Sequence, residues 1–167
     1  LINSTLMSMG VASTDLVDTQ REFAADITKS GANVDQVFDD ITSNTAVVSK
    51  YFSGNTEELK RAAIQANKLG MSIADMASVA EKLLDFESSW AARFEFQAVI
   101  GKNINCDLAR QLALQGDRAG ATQEVLNQVG SIHEFNQLDF MAKQKLAEAT
   151  GMSVEQLGKS LALQEKL

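Results

Sequence analysis

The sequence contains no proline, one cysteine and one histidine, and only 6% of its residues are aromatic. Proline breaks helix interiors, so its absence removes the commonest obstacle to long stretches of helix. A single cysteine excludes an internal disulfide framework and fits assembly in a reducing cytoplasm. No run of about 18 apolar residues is present, so the sequence predicts no membrane-spanning helix. Apolar residues nevertheless make up 45% of the chain, enough to bury a sizeable core.

The residues that are abundant, among them Ala, Leu, Gln, Glu and Met, are strong helix formers. Glycines and N-cap residues divide the chain into short capped helices, and the sequence predicts an all-α fold. The signals are clearest from Asn55, which with Glu58 has the spacing of a capping box. We therefore predict an N-terminal segment of short helices over 1–53 and a helical module over 54–167.

One long amphipathic helix is predicted over about 73–100, between the N-cap Ser72 and the stop at Gly101. Apolar residues recur along it every three or four positions and form one stripe. One helix cannot bury such a stripe alone, so we expect partner helices from this chain or from other copies. The residues predicted to serve packing and self-association are Ile73, Met76, Leu83, Phe86, Trp90 and Phe94.

Two tight turns are similar in sequence, because Gly70-Met71-Ser72 matches Gly151-Met152-Ser153. Each combines a glycine stop, a hydrophobic residue and a serine N-cap, as in a turn between two helices. Convergence on the same turn chemistry explains the match well, and a true repeat is the less favoured interpretation.

The sequence gives little support for a catalytic site or a metal-binding site. His133 has no His or Cys neighbours at metal-ligand spacing, and a half-exposed turn residue is the simplest interpretation. Cys106 begins a helix beside Asp107, which opposes a thiolate, so a small buried residue is favoured. Asp85, Glu87 and Glu95 fit a solvated face better than paired catalytic acids. We predict no enzyme, no cofactor and no metal, and the net charge of −7 opposes nucleic-acid binding.

From about Asn55 onward the order of elements resembles a region found in many tail tape-measure proteins of tailed bacteriophages. The likeness rests on a combination of short segments: "LLDFESS", then "GKNIN", then "ARQLALQGD". It covers about 110 of the 167 residues, and each segment alone would be weak evidence. The family-like motif consists of Leu84, Asp85, Phe86, Glu87, Gly101, Asn103, Asn105, Arg110 and Gly116.

This resemblance implies a structural role as a segment of a longer chain that sets tail length inside the tail tube. Such proteins are mostly helical, present in three or six copies, and released ahead of the DNA during ejection. The implied partners are other copies of the chain and proteins of the tail tube, baseplate hub or tail tip. The implied location is the tail lumen of a virion assembled in the host cytoplasm, with membrane contact only after ejection.

Two other classes of function stay open at this point. The first is a soluble helical module for protein–protein interaction, such as an adaptor or a chaperone-like domain, which predicts a stable monomer with a peptide groove. The second is a helical enzyme or a regulatory domain of one, which the lone histidine and the lack of catalytic motifs oppose.

Overall fold

The computed structural model describes residues 2–85, 91, 93–95, 97–98 and 104–166. These residues form helices joined by short turns and include no strand, which confirms the all-α fold class. The chain divides into two compact units, Leu1–Ala74 and Asp75–Leu167, which we call unit 1 and unit 2. The sequence-based division at 53/54 stays a prediction; the helix that follows Asn55 packs against earlier helices and lies inside unit 1.

Unit 1 contains five helices and the first residues of a sixth. Their bounds are α1 Ile2–Ser8, α2 Leu16–Ser30, α3 Val34–Ser43, α4 Thr45–Phe52, α5 Thr56–Lys68 and α6, which begins at Ile73. A 3-10 turn, Ser13–Asp15, leads into α2. Helix α3 contacts α1, α2, α4 and α5 and therefore lies at the centre of the unit. The largest buried side chains are Leu6, Phe23, Ile27, Ile41, Phe52, Leu59 and Leu69.

Local sequence explains where these helices begin and end. The side chain of Asn33 accepts a hydrogen bond from the Gln36 amide at the start of α3, and Asn55 accepts one from Glu58 at the start of α5. Each satisfies a helix-terminal N–H that has no partner within the helix. Gly31 ends α2 in the left-handed conformation, with φ +89°.

Unit 2 contains the remainder of α6 and five later helices among its described residues. Helix α6 spans Ile73–Leu84, and the others are α7 Asp107–Leu114, α8 Arg118–Val129, α9 Ile132–Asn136, α10 Phe140–Thr150 and α11 Val154–Glu165. Helices α7 and α8 pack closely together, and α11 contacts α8, α9 and α10. Fully or nearly fully buried residues include Val79, Leu83, Cys106, Val125, Leu126, Leu146, Leu157 and Leu161.

The uninterrupted helix predicted over about 73–100 is wrong. Helix α6 ends at Leu84 and Asp85 is not helical, while Ala91 and residues 93–95 are helical among the described residues that follow. The end of α6 has a partner that periodicity could not indicate, since Arg110 Nε donates a hydrogen bond of 2.9 Å to the Leu83 carbonyl. A side chain from α7 thus satisfies a carbonyl that an uninterrupted helix would have bonded internally.

Candidate functional site

One hydrogen bond joins two of the segments that carry the family-like motif, at the end of α6. Arg110 binds the Leu83 carbonyl, next to Leu84 and Asp85. The amide of Asp85 donates to the Glu81 carbonyl and completes the last turn of α6. Segments that are separated in the sequence therefore form one structural element of unit 2. Phe86, Glu87, Gly101 and Asn103 lie outside the described residues.

Two further motif residues shape the turns on either side of α7. Asn105 Oδ1 accepts a hydrogen bond of 3.0 Å from the Asp107 amide, immediately before the helix. Gly116 follows the helix with φ +85°, a conformation that L side chains rarely adopt. Both residues therefore have a structural role in this unit.

A group of charges surrounds the first turn of α7. Oδ1 of Asp107 lies 3.6 Å from Nη1 of Arg93 and 3.6 Å from Nη1 of Arg110. Both arginine side chains are mostly buried, whereas that of Asp107 is exposed. Asp107 thus bridges two cations, and it joins α7 to the segment that contains Arg93.

Cys106 lies beside these charges and is fully buried. Burial raises the pKa of its thiol, and the nearby Arg93 and Arg110 charges offset this increase only in part. The negative charges of Asp107 and Glu124 raise the pKa further. Because the thiolate is the nucleophile and metal ligand, a buried neutral thiol suits packing rather than reaction. The sequence-based prediction of a buried residue is confirmed.

The residues predicted for packing divide into two groups. Ile73, Met76 and Leu83 are fully buried in the chain's own core. Phe94 is instead 57% exposed, so the predicted apolar stripe does not continue as a buried face up to this residue. Phe86 and Trp90 lie outside the described residues. A role of these side chains in self-association stays a prediction.

Large apolar side chains are exposed mainly on unit 2, a feature that sequence periodicity missed. Two lie on unit 1, Met7 and Val17. Six lie on unit 2 and are here called the exposed apolar set: Leu84, Phe94, Leu108, Leu114, Phe140 and Met141. Phe140 is 72% exposed and Leu114 is 70% exposed. Single exposed apolar residues are ordinary, whereas a contiguous patch of them would mark a contact surface.

Two ion pairs join the helical stretch around Phe94 to other helices of unit 2. Arg93 pairs with Asp107 at the start of α7, and Glu95 pairs with Lys145 of α10 at 2.7 Å. Phe94 lies between Arg93 and Glu95 in the sequence and is exposed.

Unit 1 carries a separate cluster of charges around Lys60. Its Nζ lies 2.5 Å from Oδ2 of Asp26 and 3.0 Å from Glu57, and 5.6 Å from the centre of the Phe23 ring. Burial lowers the pKa of Lys60, but the hydrogen bonds with Asp26 and Glu57 and their charges raise it above the ordinary value overall. A lysine that stays protonated fixes α2 to α5 and is unsuited to act as a nucleophile.

A shallow pocket of about 400 Å³ lies next to this cluster. It is lined by Asp26, Asn55, Glu57, Glu58, Lys60, Arg61 and Ile64. Lys60 pairs with two of the lining carboxylates, Asp26 and Glu57. The pocket lies between α2 and α5.

The described residues show neither a metal-binding cluster nor a membrane-spanning helix. That part of the chain holds no group of three or more His, Cys, Asp or Glu residues arranged to bind a metal ion. His133 lies exposed on α9. None of the described helices is long and apolar enough to span a bilayer. In comparison with known proteins, the chain matches no family model, no curated protein and no solved structure.

Proposed function

We propose that this chain is a structural, non-catalytic part of a bacteriophage tail tape-measure protein. In this proposal unit 2 is the family-like module, and its exposed apolar set packs against other copies of the chain or against proteins of the tail tube, baseplate hub or tail tip. The chain would be present in three or six copies in the tail lumen, would contribute to setting tail length, and would leave ahead of the DNA.

The observation that carries the proposal is that motif segments from distant positions join within one exposed unit. Arg110 lies 27 positions after Leu83 and bonds to its carbonyl, which links the segment around Leu84 to the segment around Arg110. Two of the segments that motivate the resemblance are therefore joined by one contact.

The exposed apolar set supports a role in protein contacts. Burying a side chain such as Phe140 or Leu114 in a complex would contribute roughly 1.5–3 kcal/mol each. Monomeric proteins rarely expose several such residues together unless the surface is covered by a partner. This observation favours a packing role for unit 2 and is compatible with partners inside a tail.

The experiment is to purify tailed particles from the strain whose genome encodes the chain. Quantitative mass spectrometry of the particles would measure copies of this chain against the tail-tube protein, and cryo-electron microscopy would locate it. The proposal expects three or six copies on the tail axis, near the tip or baseplate. Expression of the chain in the lysate without its presence in intact particles would overturn the proposal.

The same preparation distinguishes the soluble interaction module. That module would be recovered from the lysate as a monomer, or bound to a non-virion protein, and would be absent from particles. The compact capped helices of both units are compatible with it, so the particle measurement decides between the two functions.

A further inference from the structure

Helix α6 is held at its two ends by side chains of opposite charge from different helices. At the N-terminus, Oδ2 of Asp40 in α3 accepts a hydrogen bond of 2.9 Å from the Ile73 amide. At the C-terminus, Arg110 of α7 donates to the Leu83 carbonyl. An acid at the start of a helix and a base at its end both complement the helix dipole and satisfy terminal backbone groups.

The division between the two units falls inside the first turn of this helix. Ile73 and Ala74 belong to unit 1, and the remainder of α6 belongs to unit 2. Asp40 itself is fixed within unit 1, since its Oδ1 accepts a hydrogen bond of 2.9 Å from Asn44 Nδ2. Through the Asp40 side chain, unit 1 thus bonds the first amide of α6.

The rest of α6 is joined to unit 2 by a close backbone contact. A Cβ built on Gly151, in the turn between α10 and α11, would lie 2.7 Å from Cβ of Lys82 and 3.3 Å from the Ser78 carbonyl oxygen. The backbone of this turn therefore rests directly on the later turns of α6. Together with the bond from Arg110, this contact ties residues 78–83 to α7, α10 and α11.

We propose that the two units open independently and that α6 opens with unit 2, with the junction in its first turn. When unit 1 opens, α6 loses the Asp40 cap and keeps its later turns. When unit 2 opens, α6 unravels while unit 1 stays folded. Compact units with cores of their own can open separately. This property belongs to the chain itself and holds whatever its biological role.

Native-state hydrogen exchange of the full chain, read by mass spectrometry, tests the proposal. Ile41→Val removes one methylene from the unit 1 core, and Val125→Ala removes two methyl groups from the unit 2 core. Such changes raise an opening constant by roughly two- to tenfold or more. Both variants retain most of the core, so each is expected to fold.

We expect Ile41→Val to accelerate exchange over 2–72 and to leave amides 77–84 and 118–165 unchanged. Val125→Ala should accelerate exchange over 77–84 and 118–165 and leave 2–72 unchanged. Equal acceleration of both regions by either variant would show one cooperative unit and overturn the proposal. Acceleration of 77–84 by Ile41→Val alone would assign α6 to unit 1 and would overturn it as well.

Discussion

Thr122 is fully buried on α8, and its Oγ1 has no hydrogen-bond partner. A buried polar atom without a partner costs about 1–3 kcal/mol, because it loses its bonds to water without replacement. Thr122→Val keeps the branched shape and removes the hydroxyl. We expect this variant to raise the free energy of unfolding by about 1–3 kcal/mol, measured by urea denaturation.

Thr150 provides the matched control for this prediction. It is equally buried, but its Oγ1 donates a hydrogen bond of 3.0 Å to the Leu146 carbonyl. Thr150→Val removes a bond that is made, so this variant should gain no stability. A loss of stability in Thr122→Val, or an equal gain in both variants, would contradict the account of Thr122.

The ion pair of Asp26 with Lys60 should make the free energy of unfolding depend on pH. The hydrogen bond from Lys60, followed by its charge, lowers the pKa of Asp26 below the ordinary value of 3.8. A carboxyl group whose pKa is lower in the folded than in the unfolded state stabilises the folded state. This stabilisation is complete at pH values above the unfolded-state pKa, and it is lost as the pH falls through the folded-state pKa. Asp26→Asn should therefore be less stable than the wild type near pH 7, with the difference shrinking below about pH 4.

The comparison with Asp39→Asn tests whether this pH dependence belongs to the Lys60 pair. Asp39 is an exposed residue of α3 in the same unit. Denaturation midpoints of both variants would be measured from pH 3 to pH 7. A gap between wild type and Asp26→Asn that stays constant down to pH 3 would exclude a contribution from this ionisation.

At the scale of elements, the turn between α10 and α11 packs closely against α6. Gly151 has φ +77°, and an added Cβ would lie 2.7 Å from Cβ of Lys82, which cannot move without its backbone. Gly151→Ala combines left-handed strain with a collision. We expect it to lower the free energy of unfolding by about 2–5 kcal/mol, as left-handed strain and overpacking together would do.

A substitution at Gly116 distinguishes the left-handed strain from the collision with Lys82. It has φ +85°, but an added Cβ would meet no atom within 4 Å. Gly116→Ala should therefore cost only the strain, about 1–2 kcal/mol. Chemical denaturation of both variants would measure the difference, and equal losses would show that the contact with Lys82 is not limiting.

The sequence predicts elements well where their ends depend on neighbouring residues. The N-caps Asn55, Asp117 and Ser153 each bond an amide three residues ahead, so the signal is local and readable. The end of α6 depends on Arg110, which lies 27 positions away, and apolar periodicity alone continued the helix too far. The fold class and most helices were predictable, whereas this termination was not.

The candidate site shows the same division between local and distant causes. Burial of Cys106 follows from its place at a helix start, and the sequence predicted it. The Lys60 pair with Asp26 joins residues 34 positions apart, and no pattern in the sequence indicated it. The exposure of Phe94 depends on the packing of other helices around it. The spacing of apolar residues along one helix cannot predict that packing.

At the scale of the whole molecule, the boundary between units depends on how helices pack and not on a linker. Residues 53–54 show the Ser-Gly signal of a break, yet α5 packs against α2, α3 and α4. The two compact units divide within a helix, between Ala74 and Asp75. Neither unit is a single extended helix, so a tape-measure role for this part would involve packed helices.

Phe140 and Met141 offer the most direct test of a role in tail assembly. They are 72% and 61% exposed at the start of α10, so Phe140→Gln with Met141→Gln should change the free energy of unfolding by less than about 0.5 kcal/mol. If a tail partner covers them, loss of two apolar anchors should reduce incorporation into particles at least about tenfold. Mass spectrometry of purified particles would measure this reduction.

The control for this pair is Gln144→Ala, an exposed position one helical turn further along α10. It leaves the apolar side chains intact and should be incorporated at the wild-type level. Normal incorporation of the double variant would show that the start of α10 is not a contact surface in the tail. A selective loss in the double variant, with folding and Gln144→Ala unaffected, would assign the partner contact to this end of unit 2.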